Sequence, residues 1–178
     1  MKKFLLLVPI ALLGASMSYA QVTSVPTTTL NLTVGAEAAI VVGSTTGFST
    51  STTFAPYTTS TPFTYYIRTG KTGGTGSITV KFASDWAGSG GPSIAAPPTA
   101  GDALTYVCAA VQAPGTACSG TQTVGAIGTA YPVATFGANA SSGISGNTAN
   151  SVAWSLTNDP VYASGSYSVT ATFTISAS

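Results

Sequence analysis

The residues that could carry out chemistry in this chain are few. The sequence contains no histidine, which excludes Ser-His-Asp catalysis, Cys-His catalysis and any metal site ligated by histidine. Four carboxylates are present, on Glu37, Asp85, Asp102 and Asp159. A hydrolase that works with two carboxylates would have to pair Asp85 with Asp102 or Asp159, and nothing in their spacing does so. The sequence therefore predicts a protein that is not an enzyme and that uses neither a metal nor a cofactor.

Two short motifs place an acid where it could bind a ligand. Asp85 precedes Trp86, and an aromatic ring beside a carboxylate can hold a sugar, with Tyr57 as a further contact. The interpretation that we favour is an acid at a strand end beside a tryptophan in the core or at its rim. Asn158-Asp159-Pro160 similarly predicts an Asx turn, with calcium ligation through oxygen atoms as the alternative.

The only two cysteines, Cys108 and Cys118, predict a disulfide bond. An even pair of cysteines in an exported chain is typical of a disulfide, and the Pro114-Gly115 turn between them can bring the sulfur atoms together. Closing this loop would stabilise the fold by roughly 3 kcal/mol through the entropy of the unfolded chain.

Residues 1–20 have the pattern of a cleaved secretory signal peptide. Lys2 and Lys3 precede an apolar run from Phe4 to Ala15, which is too short to span a bilayer comfortably, and Ser18-Tyr19-Ala20 provides the small residues of a cleavage site. We therefore expect export, from a bacterial cell, to the cell surface or the medium, with no membrane span after cleavage. The remaining chain has a formal charge of 3 − 4 = −1, so no attraction to nucleic acid is expected.

The elements that must position these residues are β-strands. Charged residues make up only 5 % of the chain, whereas Ser and Thr number 52, and apolar residues alternate with Ser and Thr at the period of two that a half-buried strand requires. Glycine, proline and asparagine separate the strands, which predicts a single all-β domain over residues 21–178, an antiparallel sandwich of about eight strands. The predicted strands cover residues 30–34, 38–42, 63–68, 78–83, 104–110, 131–136, 152–157 and 167–176.

The two ends of the exported chain carry the most informative patterns. Near the C-terminus, Gly165 is followed by an apolar face made of Tyr167, Val169, Ala171, Phe173 and Ile175. Near the N-terminus, a Thr-rich segment over residues 21–34 ends in the alternating residues Leu30, Leu32 and Val34. This arrangement resembles the subunits of chaperone–usher fimbriae, the alpha-type pilins in particular, and the related spore-coat-U-like secreted domains.

The resemblance implies an immunoglobulin-like sandwich that lacks its last strand. Leu30, Leu32 and Val34 would be donated to a neighbouring subunit, and Gly165, Tyr167, Val169, Phe173 and Ile175 would line the groove that accepts them. The implied function is that of a non-enzymatic structural subunit of a pilus or another adhesive cell-surface structure. Its partners would be other copies of itself or related surface subunits, with a periplasmic chaperone.

Two alternatives to this interpretation remain open at the level of sequence. Residues 27–34 could pair within their own chain as the first strand of the sandwich. The protein could also be a monomeric secreted binding module that presents Asp85, Trp86 and Tyr57 to a glycan or to another protein.

Overall fold

The computed structural model describes residues 28–45 and 47–178. The predicted signal peptide and residues 21–27 of the predicted donor segment lie outside the described residues. Within the described residues the chain forms nine β-strands, all paired antiparallel. The strands are β1 Glu37–Val42, β2 Tyr57–Arg68, β3 Gly76–Phe82, β4 Leu104–Ala110, β5 Thr116–Ala117, β6 Gln122–Val124, β7 Ala130–Phe136, β8 Asn147–Leu156 and β9 Ala171–Ala177.

These strands form the two sheets of a β-sandwich, as the sequence predicts. One sheet has the order β1-β2-β8-β4-β6 and the other has the order β5-β7-β3-β9. The run β1-β2-β8-β4 reproduces the A-B-E-D order of an immunoglobulin-type sandwich, and β3-β9 corresponds to its C-F pair. None of the described residues fills the place of strand G, which in that fold pairs with the outer edge of F.

The core lies between the sheets and is built from the alternation seen in the sequence. In β2, every second residue from Thr61 to Ile67 is buried, because successive side chains of a strand point to opposite faces. The polar member of this row, Thr61, accepts a hydrogen bond from Nε1 of the buried Trp154 at 2.9 Å, so neither buried group lacks a partner. The buried apolar side chains are Phe63, Tyr65, Ile67, Ile78, Val80, Phe82, Ile94, Leu104, Tyr106, Val124, Val133, Ala134, Phe136, Ala140, Val152, Trp154 and Leu156.

The predicted disulfide is present and connects the two sheets. Cys108 lies on β4 of the five-stranded sheet, and Cys118 directly follows β5 of the four-stranded sheet. Their Cα atoms are 5.6 Å apart. The peptide N–H of Cys118 also donates to the carbonyl of Val133 on β7 at 3.0 Å, which extends the β5–β7 ladder to the disulfide. The disulfide therefore fastens the side of the sandwich on which the short strands lie.

Several strand predictions differ from the structure. Strand β2 begins at Tyr57 and not at Phe63, and β8 begins at Asn147 and not at Val152. Residues 30–34 form no strand, and the first strand begins at Glu37. The last strand begins at Ala171 and not at Tyr167. The predicted list also lacks β5 and β6, because two or three residues are too few to show an alternating pattern. In the part of the chain that the structure describes, no helix is long and apolar enough to cross a membrane.

Candidate functional site

The candidate site is the outer edge of β9, the last strand of the four-stranded sheet. Its inner edge pairs with β3 without interruption from Ala171–Phe82 to Ala177–Gly76, whereas no described residue pairs with its outer edge. Just past the strand, Ser178 donates its N–H to Thr75 and accepts from the N–H of Gly70, both at 2.8 Å, so its backbone groups point towards the β3 side. Backbone groups of successive residues point alternately to the two sides of a strand. The N–H and C=O groups of Ala171, Phe173, Ile175 and Ala177 therefore face the unpaired edge.

The side chains of the same four residues point into the sandwich but are only half-buried. Phe173 packs against the buried Phe63 with a distance of 6.1 Å between ring centres. Ile175 stands opposite Ile78, which is completely buried. Thr172, Thr174 and Ser176 face outward and are exposed. The strand thus presents an apolar row that the remaining sandwich covers only in part.

Strand β1 flanks the same side of the sandwich and is the edge strand of the other sheet. Some of its Cα atoms lie within 8 Å of Cα atoms of β9, but β1 forms its ladder with β2 alone. Only Ile40 of β1 is half-buried, and Val41 and Val42 are 59 % and 40 % exposed. Two neighbouring edge strands that carry apolar residues and do not pair leave this side of the sandwich incomplete. The space between these two edge strands is the groove that an added strand would occupy. Because paired strands lie about 4.8 Å apart, a strand added there would require a distance of roughly 10 Å between β1 and β9.

The predicted donor residues are among the most exposed apolar side chains of the described chain. Leu30 and Leu32 are 91 % and 86 % exposed, and Val34 is 57 % exposed. Residues 28–36 belong to no strand among the described residues. The sequence does not predict that β1 borders the acceptor groove. Its run of apolar residues after Glu37 suggested a strand, but not that this strand would lie beside the last one.

Two of the five predicted groove residues, Gly165 and Tyr167, do not lie on β9. Gly165 and Tyr167 precede β9 in a loop segment that runs along residues 87–91, with hydrogen bonds from Ala163 N to Gly90 O and from Ala87 N to Ser168 O. The ring of Tyr167 lies so close to Gly91 that a Cβ atom there would stand 2.1 Å from it. Val169 is half-buried against the core just before the strand, so the predicted groove residues that flank the edge are Val169, Phe173 and Ile175.

The carboxylate of the predicted ligand site is occupied by internal hydrogen bonds. Oδ1 of Asp85 accepts hydrogen bonds from the N–H groups of Trp86 and Ile94 at 2.8 and 2.7 Å, and Oδ2 accepts from the Ser93 hydroxyl at 2.5 Å. Burial on its own would raise the pKa of Asp85, but the hydrogen bonds from Ser93, Ile94 and Trp86 outweigh it, and the pKa lies below its ordinary value. This carboxylate organises a loop that inserts Ile94 into the core.

The two aromatic members of the predicted ligand site also pack inward. Trp86 is half-buried and contacts Phe48 with ring centres 5.8 Å apart, and the half-buried Tyr57 begins β2. This arrangement matches the favoured interpretation of Asp85-Trp86, an acid beside a tryptophan that packs on the core. An open cleft of about 630 Å³ lies elsewhere, beside Glu37, Arg68 and the fully exposed Ile144.

The fold does bring two of the predicted acids together. Asp102 precedes β4 and Asp159 follows β8, and these neighbouring strands run antiparallel with Thr105 opposite Ser155. Burial raises the pKa of Asp102, and the adjacent Asp159 carboxylate raises it further. Asp102 is only 2 % exposed, so the pair does not flank a groove in which a substrate bond could lie between two carboxylates.

Comparison of the chain with protein-family models, with curated proteins and with solved structures returns no match in any of the three.

Proposed function

We propose that this protein is an exported, non-enzymatic structural subunit of the cell surface, similar to a pilin, which assembles by strand donation. Residues 27–34 of one copy add to the outer edge of β9 in the next copy. The observation that supports this proposal most directly is that the outer edge of β9 has no partner strand among the described residues. Its unpaired backbone groups and its partly covered apolar side chains belong to the same residues, and one added strand satisfies both.

The donor segment has the complementary chemistry. Leu30, Leu32 and Val34 lie at every second position, so in an extended conformation they share one face, while Asn31 and Thr33 share the other. Burying three such side chains contributes about 5–9 kcal/mol before the entropy of ordering the segment is subtracted. The segment carries no charge, and the flanking strands present none beyond Glu37 at the start of β1, so no charge needs to be desolvated along most of the groove.

Donation from one copy to the next has a geometric consequence. The donating and accepting surfaces differ, so the contact is of the head-to-tail type, and unless the rotation between copies closes a ring it generates a filament. The Thr and Ser side chains on the outer face of β9 remain exposed in such a filament. An uncharged, Thr-rich outer surface is compatible with water and with strand structure at the same time.

The test compares two single substitutions on opposite faces of the donor. Leu32→Asp places a charge on the face that enters the groove, which costs several kcal/mol, whereas Thr33→Asp places the same charge on the face directed to solvent. We expect the unmodified protein and Thr33→Asp to form filaments in negative-stain electron microscopy and large species in sedimentation velocity, and Leu32→Asp to remain monomeric. Assembly of Leu32→Asp to the same extent as Thr33→Asp would rule out this segment as the donor.

The same experiment addresses the second function that the sequence leaves open. A monomeric binding module is favoured by one observation, the open cleft at Arg68 with the exposed Ile144 on its rim. If the unmodified protein stays monomeric at every concentration, and Leu32→Asp behaves identically, the binding module becomes the better proposal. Ile144→Ser would then be the substitution with which to test ligand binding at the cleft.

A further inference from the structure

Only two residues separate the proposed donor segment from the folded sandwich. The donor ends at Val34, and β1 begins at Glu37, with Gly35 and Ala36 between them. An extended chain advances at most about 3.6 Å per residue, so the Cα atoms of Val34 and Glu37 are never more than roughly 11 Å apart. When the donor lies in the groove of the next copy, the two sandwiches are therefore held against each other.

The linker is also fastened to its own sandwich. Arg68, at the end of β2, donates a hydrogen bond from its Nε–H to the carbonyl of Gly35 at 2.9 Å. The same guanidinium pairs with the Glu37 carboxylate, with 2.8 Å between Nη2 and Oε2. Both contacts are exposed and add little to stability, but together they restrict the direction in which the chain leaves β1. The donor thus starts from a defined place, the end of the sandwich at which β1 begins and β9 ends, which we call the proximal end. The opposite end, at which β1 ends and β9 begins, is the distal end.

An exposed apolar side chain stands beside this linker at the proximal end. Ile144 is fully exposed and occupies the second position of a tight turn over residues 143–146, which a backbone hydrogen bond of 2.9 Å closes. The loop that carries the turn is bound to β2, because the N–H of Ser142 donates to the carbonyl of Ile67 at 2.9 Å. Ile144 lines the same open cleft as Arg68. A single exposed isoleucine is not informative by itself, but this one stands next to the linker, where the next copy must lie.

The donor leaves the groove of the next copy at the distal end of that copy. All paired strands of the described chain are antiparallel, and antiparallel pairs are slightly more stable per residue, so we place the donor antiparallel to β9. The donor then runs from the proximal to the distal end of the accepting copy. The donor has eight residues and β9 has seven, so Val34 emerges near Ala171, at the start of β9. The proximal end of the donating copy consequently meets the distal end of the accepting copy.

The distal end presents an apolar side chain of its own on a tight turn. Phe54 lies in the loop between β1 and β2 and is 60 % exposed. Its φ of 55° lies in the left-handed region, which a bulky residue seldom adopts. The turn is held by hydrogen bonds from the Thr50 hydroxyl to the Ala55 carbonyl at 2.9 Å and from the Ala55 N–H to the Thr52 carbonyl at 3.1 Å. A phenylalanine ring is thus presented to solvent at the end of the sandwich where the neighbouring copy arrives.

The charged side chains of the described residues are divided so that the two ends complement each other. The proximal end carries Arg68, Lys71 and Glu37, and the distal end carries Lys81, Asp85, Asp102 and Asp159. The side-chain charge is therefore net positive at the proximal end and net negative at the distal end. Opposite charges favour a contact between unlike ends of two copies over a contact between like ends.

We propose that consecutive copies form a second contact beside the donated strand. In it the proximal end of the donating copy, centred on Ile144, packs against the distal end of the accepting copy, centred on Phe54. This inference rests on the proposed function, because strand donation is what brings the two ends together. The contact fixes the angle between copies and makes the filament stiff, whereas copies joined by the donor alone would hinge at Val34.

Single substitutions test this contact without altering the donated strand. Ile144→Ser and Phe54→Asn each remove an exposed apolar side chain, and asparagine tolerates the left-handed backbone at residue 54. Val107→Ser removes another exposed apolar side chain, in the middle of β4 and away from both ends, and serves as the control. In the complete exported chain, we expect Ile144→Ser and Phe54→Asn each to raise the critical concentration of filament assembly about tenfold, the effect of no longer burying one such side chain. Val107→Ser should leave the critical concentration, measured by sedimentation, unchanged.

The affinity for the donor separates this inference from the proposed function. A chain with Leu30→Asp and Leu32→Asp accepts a synthetic peptide of residues 27–34 through its groove alone, and adding Ile144→Ser or Phe54→Asn should leave that affinity unchanged. If either variant assembles at the same concentration as Val107→Ser, the second contact is refuted and strand donation stands. A fall in peptide affinity would also refute the contact, because the substitution would then act on the groove. If the peptide does not bind at all, strand donation itself is wrong and the second contact falls with it.

A longer linker tests the same contact without changing any residue of the two ends. Insertion of Gly-Ser-Gly-Ser between Gly35 and Ala36 releases the two copies from each other while the donor remains intact. The chain with the insertion should form filaments that bend more in negative-stain electron microscopy, and its critical concentration should also rise about tenfold. Adding Ile144→Ser to the insertion should have no further effect, because both changes remove one and the same contact. Fully additive effects of the insertion and of Ile144→Ser would contradict the proposal.

Discussion

Strand addition at β9 predicts that the energetic importance of Ile175 depends on whether the groove is filled. Ile175 and Ile78 are direct cross-strand partners of the same residue type, but Ile78 is completely buried and Ile175 is half-buried. Replacing a buried isoleucine by alanine costs about 2–5 kcal/mol, because it removes contacts and leaves a cavity. We expect Ile78→Ala to cost about 3–4 kcal/mol and Ile175→Ala about 2 kcal/mol when the groove is empty.

Filling the groove should change only one of these values. A donated strand would cover Ile175 and bring the cost of Ile175→Ala to about 3 kcal/mol or more, while the cost of Ile78→Ala stays the same. The additional loss of about 1 kcal/mol corresponds to a roughly fivefold weaker affinity of the donor for Ile175→Ala. The outward-facing Thr174 provides a control, since Thr174→Ala should not affect donor affinity.

The assay uses a chain that cannot donate its own segment and a synthetic donor. The chain carries Leu30→Asp and Leu32→Asp, and the peptide TTTLNLTV, corresponding to residues 27–34, is added in excess. Urea unfolding with and without peptide gives the free energy of unfolding, and peptide titration gives the affinity. At a peptide concentration 100 times its dissociation constant the chain should gain about 2.7 kcal/mol. Equal costs of Ile175→Ala with and without a stabilising peptide would refute the idea that β9 accepts the strand.

Two further predictions concern the fold. Replacing Cys108 and Cys118 together by alanine should lower the free energy of unfolding by roughly 3 kcal/mol, as measured by urea unfolding, with little change in strand content by far-UV circular dichroism; a loss below about 1 kcal/mol would contradict the loop-entropy argument. Asp85→Ala should cost about 1–3 kcal/mol at pH 7, because Ile94 N–H and the Ser93 hydroxyl lose their acceptor. Since the pKa of Asp85 lies below its ordinary value of 3.8, this carboxylate stabilises the fold above that pH, and its contribution is lost as the pH falls through the lower folded-state pKa. The difference between Asp85→Ala and the unmodified protein should therefore shrink in acid, and a difference that grows there would show that the sign is wrong.

The strands were largely predictable from the sequence, because a half-buried strand leaves a period of two. The predicted Leu104–Ala110 matches β4, and the buried rows of β2 and β8 appear directly as alternating apolar residues. The same pattern failed at residues 30–34, where alternation is present but no strand forms. A strand requires a partner as well as a pattern, and the sequence does not state which chain supplies the partner.

The functional geometry was less predictable, because it depends on which strands become neighbours. The proximity of β1 and β9 follows from the order of strands within two separate sheets, and no local pattern encodes that order. The encounter of Asp102 with Asp159 follows from the pairing of β4 with β8 in the same way. Asp85 was different, since all its partners lie within nine residues in the sequence, and the favoured interpretation as a local structural acid could be reached without knowledge of the fold.

The four edge strands of the two sheets differ in length, and this difference indicates the side of the sandwich at which another strand adds. At one side of the sandwich the edge strands β5 and β6 have two and three residues, and the disulfide lies beside them. At the other side the edge strands β1 and β9 have six and seven residues and carry apolar side chains. Short edge strands are one of the ways in which proteins prevent unwanted strand pairing, and long uncharged edges invite it. A protein that had to remain monomeric would be expected to protect both sides, so the protection of one side alone favours a sandwich that adds a strand at the other.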